Sequence, residues 1–463
     1  MGKNMRSNKR RIYIGILLLA AVGAQGAKKF QVDLPFLINR GLLIYPELKK
    51  KHHDLRHAYL RKEEVNIKRL PDVRTEVYFN YLPYVDGKTM DVDWNEWSPI
   101  IRQSVTATLP LYSFGKLDNA EKAAEYNIEV KKAEIEETKA SLQYQIKKIF
   151  WGYLFTNSLV KYILDKTIPK YEKVVNEREE EFKKGKIKRA TLESAKINYY
   201  SLRKNEAEAR QGLDESMMWI KTICGAAEED QVEFAQDRLE PLNLDIKPFF
   251  YYLDLAKRYN HDMKKVYYGY MARKYYNEFQ QSAGYPDLFL AVRGDYTYHS
   301  YKSETNLLWP EKSGNVGFVL GLRWDLSFWK HSNAQRQNDE LFLGDLQKIK
   351  MGYKFQELEI RKVYEKMKEK KKQLVYSEQQ FKAARRWLIF TINAYETGAG
   401  NVGDAQEGLT TLFYRQKDYY QAIYEFNLAI AAFEQILGIE LVDYKKIFLA
   451  KSNYEDEGQD EEE

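Results

Sequence analysis

Three glycines, Gly398, Gly400 and Gly403, stand in the spacing G-x-G-x-x-G within YETGAGNVGDAQEGLTTL, Tyr395 to Leu412. Between a strand and a helix, that spacing cradles a dinucleotide pyrophosphate, with an acidic residue about 20 positions on for the ribose. Neither condition holds here. Helical sequence precedes Gly398, including FKAARRWLIF at Phe381 to Phe390, and the downstream position falls inside another helical pattern. The glycines are read instead as a reversal between two helices, where positive φ is needed. His53 and His57 in HHDLRH lie one helical turn apart, a spacing that can share a metal. No third ligand lies nearby, so they are read as a solvated helix face. The chain has no H-E-x-x-H, no Walker A motif and no G-x-S-x-G, and no catalytic residue, metal or cofactor is assigned.

Composition narrows the class. Lys+Arg 73 against Asp+Glu 67 leaves +6 over 463 residues, too balanced for nucleic-acid binding through phosphate attraction. Only 11 Pro and 25 Gly interrupt the chain, 30% of residues are charged and 36 are Tyr, which suits long polar helices with aromatic-rich strands. Lys3, Arg6, Lys9, Arg10 and Arg11 precede the apolar run Ile12 to Ala24, and Ala24-Gln25-Gly26 follows as a small-x-small site. Residues 1–26 are thus expected to be an export signal, the run being short of the roughly 20 residues a spanning helix needs. The single cysteine, Cys224, rules out a disulfide framework, and no cysteine near residue 26 offers a lipid anchor. The tail EDEGQDEEE, within residues 446–463, is expected to be a solvated acidic extension.

The chain repeats itself. SFGKLDNA at Ser113 to Ala120 matches SFWKHSNA at Ser327 to Ala334, offset 214. FKKG at Phe182 to Gly185 pairs with YETG at Tyr395 to Gly398, and ICG at Ile223 to Gly225 with ILG at Ile436 to Gly438, both offset 213. Residues 27–239 and 251–445 are read as two copies of one unit, joined by a seam at 240–250. Each copy is expected to run helix, strand, loop, strand, very long helix, turn, helix. The strands fall near 72–82 and 104–111, then 288–300 and 316–326. The long helices fall near 119–181 and 331–394, the turns near 182–190 and 395–403, and the return helices near 191–224 and 404–437.

Strand evidence is alternation with a period of two. Val73, Thr75, Val77, Phe79 and Tyr81 share one face against Arg74, Glu76, Tyr78 and Asn80. Leu288, Leu290, Val292, Tyr296 and Tyr298 oppose Arg293, Asp295 and Thr297. Such strands have the length of membrane β-strands, although a soluble sandwich alternates in the same way. VDGKTMDVDWNEWSP and YKSETNLLWPEKSGN are read as the loops between them, and the tyrosines of DYTYHSY as an interfacial belt. Ile128, Ile135, Leu142 and Ile149 recur every seven residues, a coiled-coil-like period, with Pro169 as an expected kink.

A sheet in a bilayer must close, because edge N–H and C=O groups find no water there. Four strands are too few for one chain to close alone, so a membrane location requires several copies. YPELKKK (Tyr45 to Lys51), LPLYSFGKLDNA (Leu109 to Ala120), FKKGKIKRATLESA (Phe182 to Ala195), YETGAGNVGDAQEGLTTL and AIAAFEQILG (Ala429 to Gly438) together resemble the TolC family of outer-membrane efflux proteins over nearly all of the chain after residue 26. The resemblance implies a mainly α fold with a β-barrel portion. Three chains would form a 12-stranded barrel in outer-membrane lipid and an α-barrel in the periplasm. The implied partners are two further copies, a periplasmic adaptor and an inner-membrane pump of the RND or ABC type, with no nucleic acid. A periplasmic coiled-coil scaffold with a soluble β-domain is the competing reading.

The resemblance also assigns roles at the turns. Asp404 and Glu407, three apart on one helix face, would become rings of carboxylates at the pore constriction. Gly185, Lys186, Tyr395, Gly398 and Gly400 would form the periplasmic turns that meet the adaptor. A family arginine expected two residues after the turn glycine is absent, its place taken by Gly400. The first turn is basic, with Lys183, Lys184, Lys186, Lys188 and Arg189, and Lys188 or Arg189 is the candidate latch cation. The alternative is a solvated basic turn that meets the adaptor.

Overall fold

A computed structural model describes residues 29–85, 89, 91–299, 312–400, 402–444 and 446. The expected export signal, the loop at 301–311 and the acidic tail from 447 lie outside the described residues. The elements in chain order are β1 (Lys29–Val32), α1 (Leu34–Ile44), α2 (Pro46–Ile67), β2 (Asp72–Val85), β3 (Val92–Tyr112) and α3 (Lys116–Ser158). A π-turn (Leu159–Leu164), α4 (Asp165–Lys183), α5 (Arg189–Cys224), β4 (Gln231–Phe234), α6 (Phe249–Tyr259) and α7 (His261–Gln281) follow. The chain then forms β5 (Asp287–His299), β6 (Lys312–Arg323), α8 (Phe328–Glu396) and α9 (Val402–Leu437). Two compact units result: one holds the chain up to Pro46, Glu137–Tyr259 and everything from Glu359, the other Glu47–Glu136 and Asn260–Leu358. Each draws segments from both halves of the sequence.

The second unit carries a four-stranded sheet in the order β2-β3-β5-β6, antiparallel throughout. Register aligns the two faces. Val73, Ala107, Val292 and Phe318 form one row, and Arg74, Thr106, Arg293 and Gly317 the next. The apolar face is bare: Phe79 is 77% exposed, and Val73, Val316, Phe318 and Leu320 are also exposed. The polar face is crowded. Asp295 binds Arg293 through two N–H···O bonds at 2.8 and 3.0 Å, and neighbouring Ser104 is only 6% exposed. On this face the Phe289 ring lies over Gly321, where a Cβ would come within 2.5 Å of it and the ring would have to move.

Three expectations are revised. First, β3 begins at Val92, so much of VDGKTMDVDWNEWSP is strand and not loop. Leu82 pairs with Ser98 and Val85 with Val92, and Trp97 stacks on Tyr81 at 5.8 Å. Likewise Lys312–Asn315 belong to β6. Second, the expected helix at 119–181 is divided by the π-turn, where the Asp165 N–H reaches back five residues to Val160. Pro169 supplies no N–H and its ring opposes the Asp165 carbonyl, so the wide turn sits where the proline disrupts the ladder. Third, the single helix expected before the strands of each copy is broken, at Tyr45–Pro46 in the first and at Asn260 in the second. Proline starts a helix there, and the Asn260 side chain caps Met263 N at 2.7 Å.

In the first unit α9 is the spine. Phe413, Tyr420, Ile423, Phe426, Ile430, Phe433 and Leu437 are buried along it. The seam segment is strapped down rather than loose. Asn427 accepts from Leu242 N and donates to Glu240 O, both at 2.9 Å, while Lys371 and Tyr364 bond the carbonyls of Leu244 and Lys247. A buried ion pair anchors the base of α9. Glu434 accepts Lys147 Nζ and Tyr444 OH, both at 2.7 Å, and Leu441 N at 2.8 Å, while the ammonium sits 4.1 Å from the Tyr444 ring centroid. Burial and the neighbouring carboxylate raise the Tyr444 pKa, so its hydroxyl is a permanent donor.

Val442 N adds a fourth bond at 3.2 Å, and removing the carboxylate leaves the buried Lys147 ammonium with only the more distant Glu440 at 3.9 Å. Glu434→Ala should lower stability by about 3–5 kcal/mol, seen as an earlier thermal loss of helical circular dichroism. The double variant Lys147→Met, Glu434→Leu should recover most of that loss.

Candidate functional site

Two helix reversals carry the residues singled out in the sequence, and both belong to the first unit. At the first, α4 ends on Gly185 with φ 72°, Gly185 N donates to Phe182 O and Lys186 N to Glu181 O, each at 2.9 Å. That pair of bonds satisfies the last carbonyls of α4 with a left-handed glycine, as the physics of helix ends requires. At the second, Gly398 has φ 75° and donates to Tyr395 O at 3.1 Å, and Gly400 N reaches Ala394 O at 2.8 Å. The close return explains Gly400: a Cβ there would lie 2.9 Å from the Ala394 carbonyl carbon and 3.0 Å from Tyr395 N. No side chain fits at this position unless the turn moves. Gly225 and Gly438, at the far ends of α5 and α9, repeat the left-handed geometry with φ 67° and 76°.

Beyond the second turn, Asp404 and Glu407 are exposed on the first turns of α9 and share a face by their i, i+3 spacing. Gly408 beside them is buried, with its missing Cβ 2.8 Å from Thr391 Oγ1 and 3.3 Å from Leu388 Cα, so α8 and α9 approach closely there. Tyr395 is exposed. At the first turn Lys183, Lys184, Gly185, Lys186, Lys188 and Arg189 are all exposed. Lys184 pairs with Glu180 at 3.2 Å and Arg189 with Glu193 at 3.6 Å, each within its own helix. Among the described residues no ion pair joins Lys188 or Arg189 to Asp404 or Glu407. His53 and His57 are exposed on α2.

A set of polar cross-links joins α9 to the α4–α5 hairpin, and periodicity alone did not reveal it. Tyr171 OH donates to Gln406 O at 3.2 Å and is in contact with Thr410 Oγ1. Ser201 Oγ lies 3.1 Å from Tyr414 OH, and Lys417 Nζ donates to Asn205 Oδ1 at 2.6 Å. Thr410, Tyr414 and Lys417 fall on one stripe of α9 by their four- and three-residue steps. Burial pushes the Tyr171 pKa up to about 12, so it remains a protonated donor across the physiological range. Arg178, two turns further along α4, is 6% exposed; it pairs with Glu181, and its Nε has no partner. In the sequence, the signal was Tyr171 and Arg178 standing seven apart where an apolar seam would place leucines.

Comparison with known proteins gives a fold. No family model matches the chain, and no curated protein matches it. Solved structures do. The channel-forming protein CusC matches with TM-score 0.72 and 14% identity over 90% of this chain and 96% of its own. The Campylobacter jejuni CmeC outer-membrane channel matches with TM-score 0.68 and 14% identity over 94% of each. The open state of the Neisseria gonorrhoeae MtrE outer-membrane channel matches with TM-score 0.67 and 13% identity over 88% of this chain and 89% of its own. The chain has the fold of the TolC-type outer-membrane channels, long helices with a smaller β portion. No described helix is long and apolar enough to cross a membrane.

The polar links generate a test independent of any function. Tyr171→Phe removes the hydroxyl that bonds Gln406 and Thr410 but preserves volume. Limited proteolysis near the second turn should then proceed several-fold faster than in the unmodified protein, with little change in overall thermal stability.

Proposed function

We propose that three copies of this chain form a passive exit channel across the outer membrane, with the helical portion in the periplasm. The carrying observation is the sheet: four antiparallel strands with an exposed apolar face, a charged and crowded opposite face, and two free margins, β2 and β6. With four strands in strict alternation, β6 of one copy runs opposite to β2 of the next. Copies can therefore join in the same antiparallel sense until the sheet closes, three of them supplying twelve strands. The likeness to the CmeC and MtrE outer-membrane channels supports the location. A soluble β-domain on a periplasmic scaffold would have to cover Phe79, Val316, Phe318 and Leu320, which lie bare.

In this reading cargo arrives from an inner-membrane pump, of the RND or ABC type, through a periplasmic adaptor that meets the turns at Gly185, Lys186, Tyr395, Gly398 and Gly400. Asp404 and Glu407 form the constriction, two rings of three carboxylates each around the axis. Rings of that charge favour cations and repel one another, so the closed turn needs compensation by cations or by the polar links to α4 and α5. Lys188 and Arg189, exposed on the first turn, are the candidates for that compensation.

Planar-bilayer recording tests the channel and its constriction together. The detergent-extracted trimer should conduct ions, and Asp404→Asn with Glu407→Gln should reduce cation over anion preference several-fold. Neutralising Lys188 and Arg189 should raise the closed-state conductance. A water-soluble monomer that never conducts would overturn the channel reading. A conducting protein whose selectivity ignores both carboxylates would overturn only the constriction.

A further inference from the structure

On the outward face of the four-stranded sheet, the one that carries Val73 and Phe318, an amide and a charge occur once each. Between the Leu288–Leu322 row and the Tyr298–Lys312 row they are Gln103 and Lys312. The two stand in adjacent rows, Gln103 with Tyr296 and Gly314, and Lys312 with Tyr298 and Ile101. Beside them lies a shallow cavity of about 360 Å³ lined by Gln103, Val105, Gly294, Tyr296, Gly314 and Val316. The fold does not impose its two glycines. Apart from chain neighbours, a Cβ would come no closer than 3.9 Å to any atom at Gly294 and 3.8 Å at Gly314. Neither residue has positive φ, and the register runs through both without a bulge. Glycine weakens a strand interior, and without a bulge or bend its use there is to let something approach the backbone.

All four strands join helices at one end: α2 before Asp72, α3 after Tyr112, α7 before Asp287 and α8 after Arg323. Lys312 stands at the other end. From the Leu288 row to the Tyr298 row is ten residues, roughly 33 Å of strand and roughly 25 Å of height at a tilt of about 40°, the thickness of a barrel's apolar band. In the channel reading Lys312 thus lies at the head groups of the outer leaflet, with the cavity just below. We infer that the cavity holds an anionic lipid of that leaflet. Its phosphate meets the Lys312 ammonium, the carbonyl of an acyl linkage accepts from the Gln103 amide, and the chain crosses Gly294 and Gly314 beside the Tyr296 ring. This rests on the channel reading and adds a ligand to the barrel wall. Water would satisfy Lys312 at the interface, but Gln103 is one row deeper, where a polar group needs a partner. Among the described residues nothing bonds its amide. Nor would β2 of a neighbouring copy bring a carboxylate to Lys312, since its outward residues from Val73 to Tyr81 are Val, Thr, Val, Phe and Tyr.

Native mass spectrometry of the full-length protein in detergent, titrated with bisphosphorylated hexa-acyl lipid A, tests the site. One bound molecule per copy is expected. Gly294→Val with Gly314→Val fills the cavity, and Lys312→Ala with Gln103→Leu removes its polar contacts; each pair should weaken binding about tenfold. Valine suits a strand and has room at both places, so the filled variant should assemble as the unmodified protein does. Removing the lipid's phosphates should cost as much as Lys312→Ala alone. Absence of binding, binding that survives the filled cavity, indifference to the phosphates, or a co-purified protein on this face in place of lipid would each overturn the inference. Bilayer conductance of the same variants separates the two readings. Variants that conduct normally leave the channel standing whatever the lipid does, whereas a protein that never conducts removes the channel itself.

Discussion

The unpaired margins of a four-stranded sheet govern this molecule. β2 and β6 each present a row of backbone donors and acceptors that no described residue satisfies in the sheet, and the face beside them exposes Val73, Phe79, Phe318 and Leu320. In water that combination invites aggregation; in lipid it is untenable unless the sheet closes. Closure by further copies resolves both at once, because the apolar face then meets lipid and the margins meet each other. The crowded face, with Arg293 and Asp295 in a two-pronged pair and Ser104 nearly covered, then turns inward. In the proposed channel, then, a requirement of the backbone calls for more than one copy of the chain.

The helical part is packed unevenly along α9, and the unevenness has a use. Toward its C-terminal end lie Phe426, Ile430 and Phe433 with the fully bonded Glu434, contacts that water cannot replace without loss. Toward its N-terminal end the links to α4 and α5 are hydroxyl, amide and ammonium groups: Tyr171 with Thr410, Ser201 with Tyr414, Asn205 with Lys417. Each such bond contributes only about 0.5–1.5 kcal/mol net, because water offers nearly equivalent partners. The N-terminal end, although Phe413 is buried there too, therefore relies more on polar links than the C-terminal end. In the proposed channel that difference would leave the looser contacts near the turns.

Much of the fold was legible in the sequence because it depends on pattern. Alternation in Val73–Tyr81 and Leu288–Tyr298 marked strands, and the matched glycines marked the turns. What failed to show was context. Val92–Pro99 looked like a loop because Asp91, Asp93 and Asn95 outweighed the aromatic pairing of Trp97 with Tyr81, which only the partner strand reveals. The π-turn before Pro169 was foreseen as a kink but not as a widened turn, since the sequence shows where a proline blocks a hydrogen bond and not how the chain compensates. At the site, the glycines and acids were readable from local spacing. The links from Tyr171, Ser201 and Asn205 were not, because their partners lie more than 200 residues away.

Gly400 shows how backbone geometry can decide side-chain chemistry. The second turn closes by bringing Gly400 N to Ala394 O, and at that approach a Cβ would meet the carbonyl carbon at 2.9 Å. An arginine at that position is excluded by the turn itself, not merely absent. A positive charge set against carboxylates at this end cannot therefore come from position 400. Lys188 and Arg189 are exposed on the first turn, and Arg178 is buried on the face of α4 that also carries Tyr171, paired with Glu181. The two hairpins share a left-handed glycine at the turn, Gly185 and Gly398. The second turn has no room for a side chain at Gly400, whereas the first carries Lys183, Lys184, Lys186, Lys188 and Arg189.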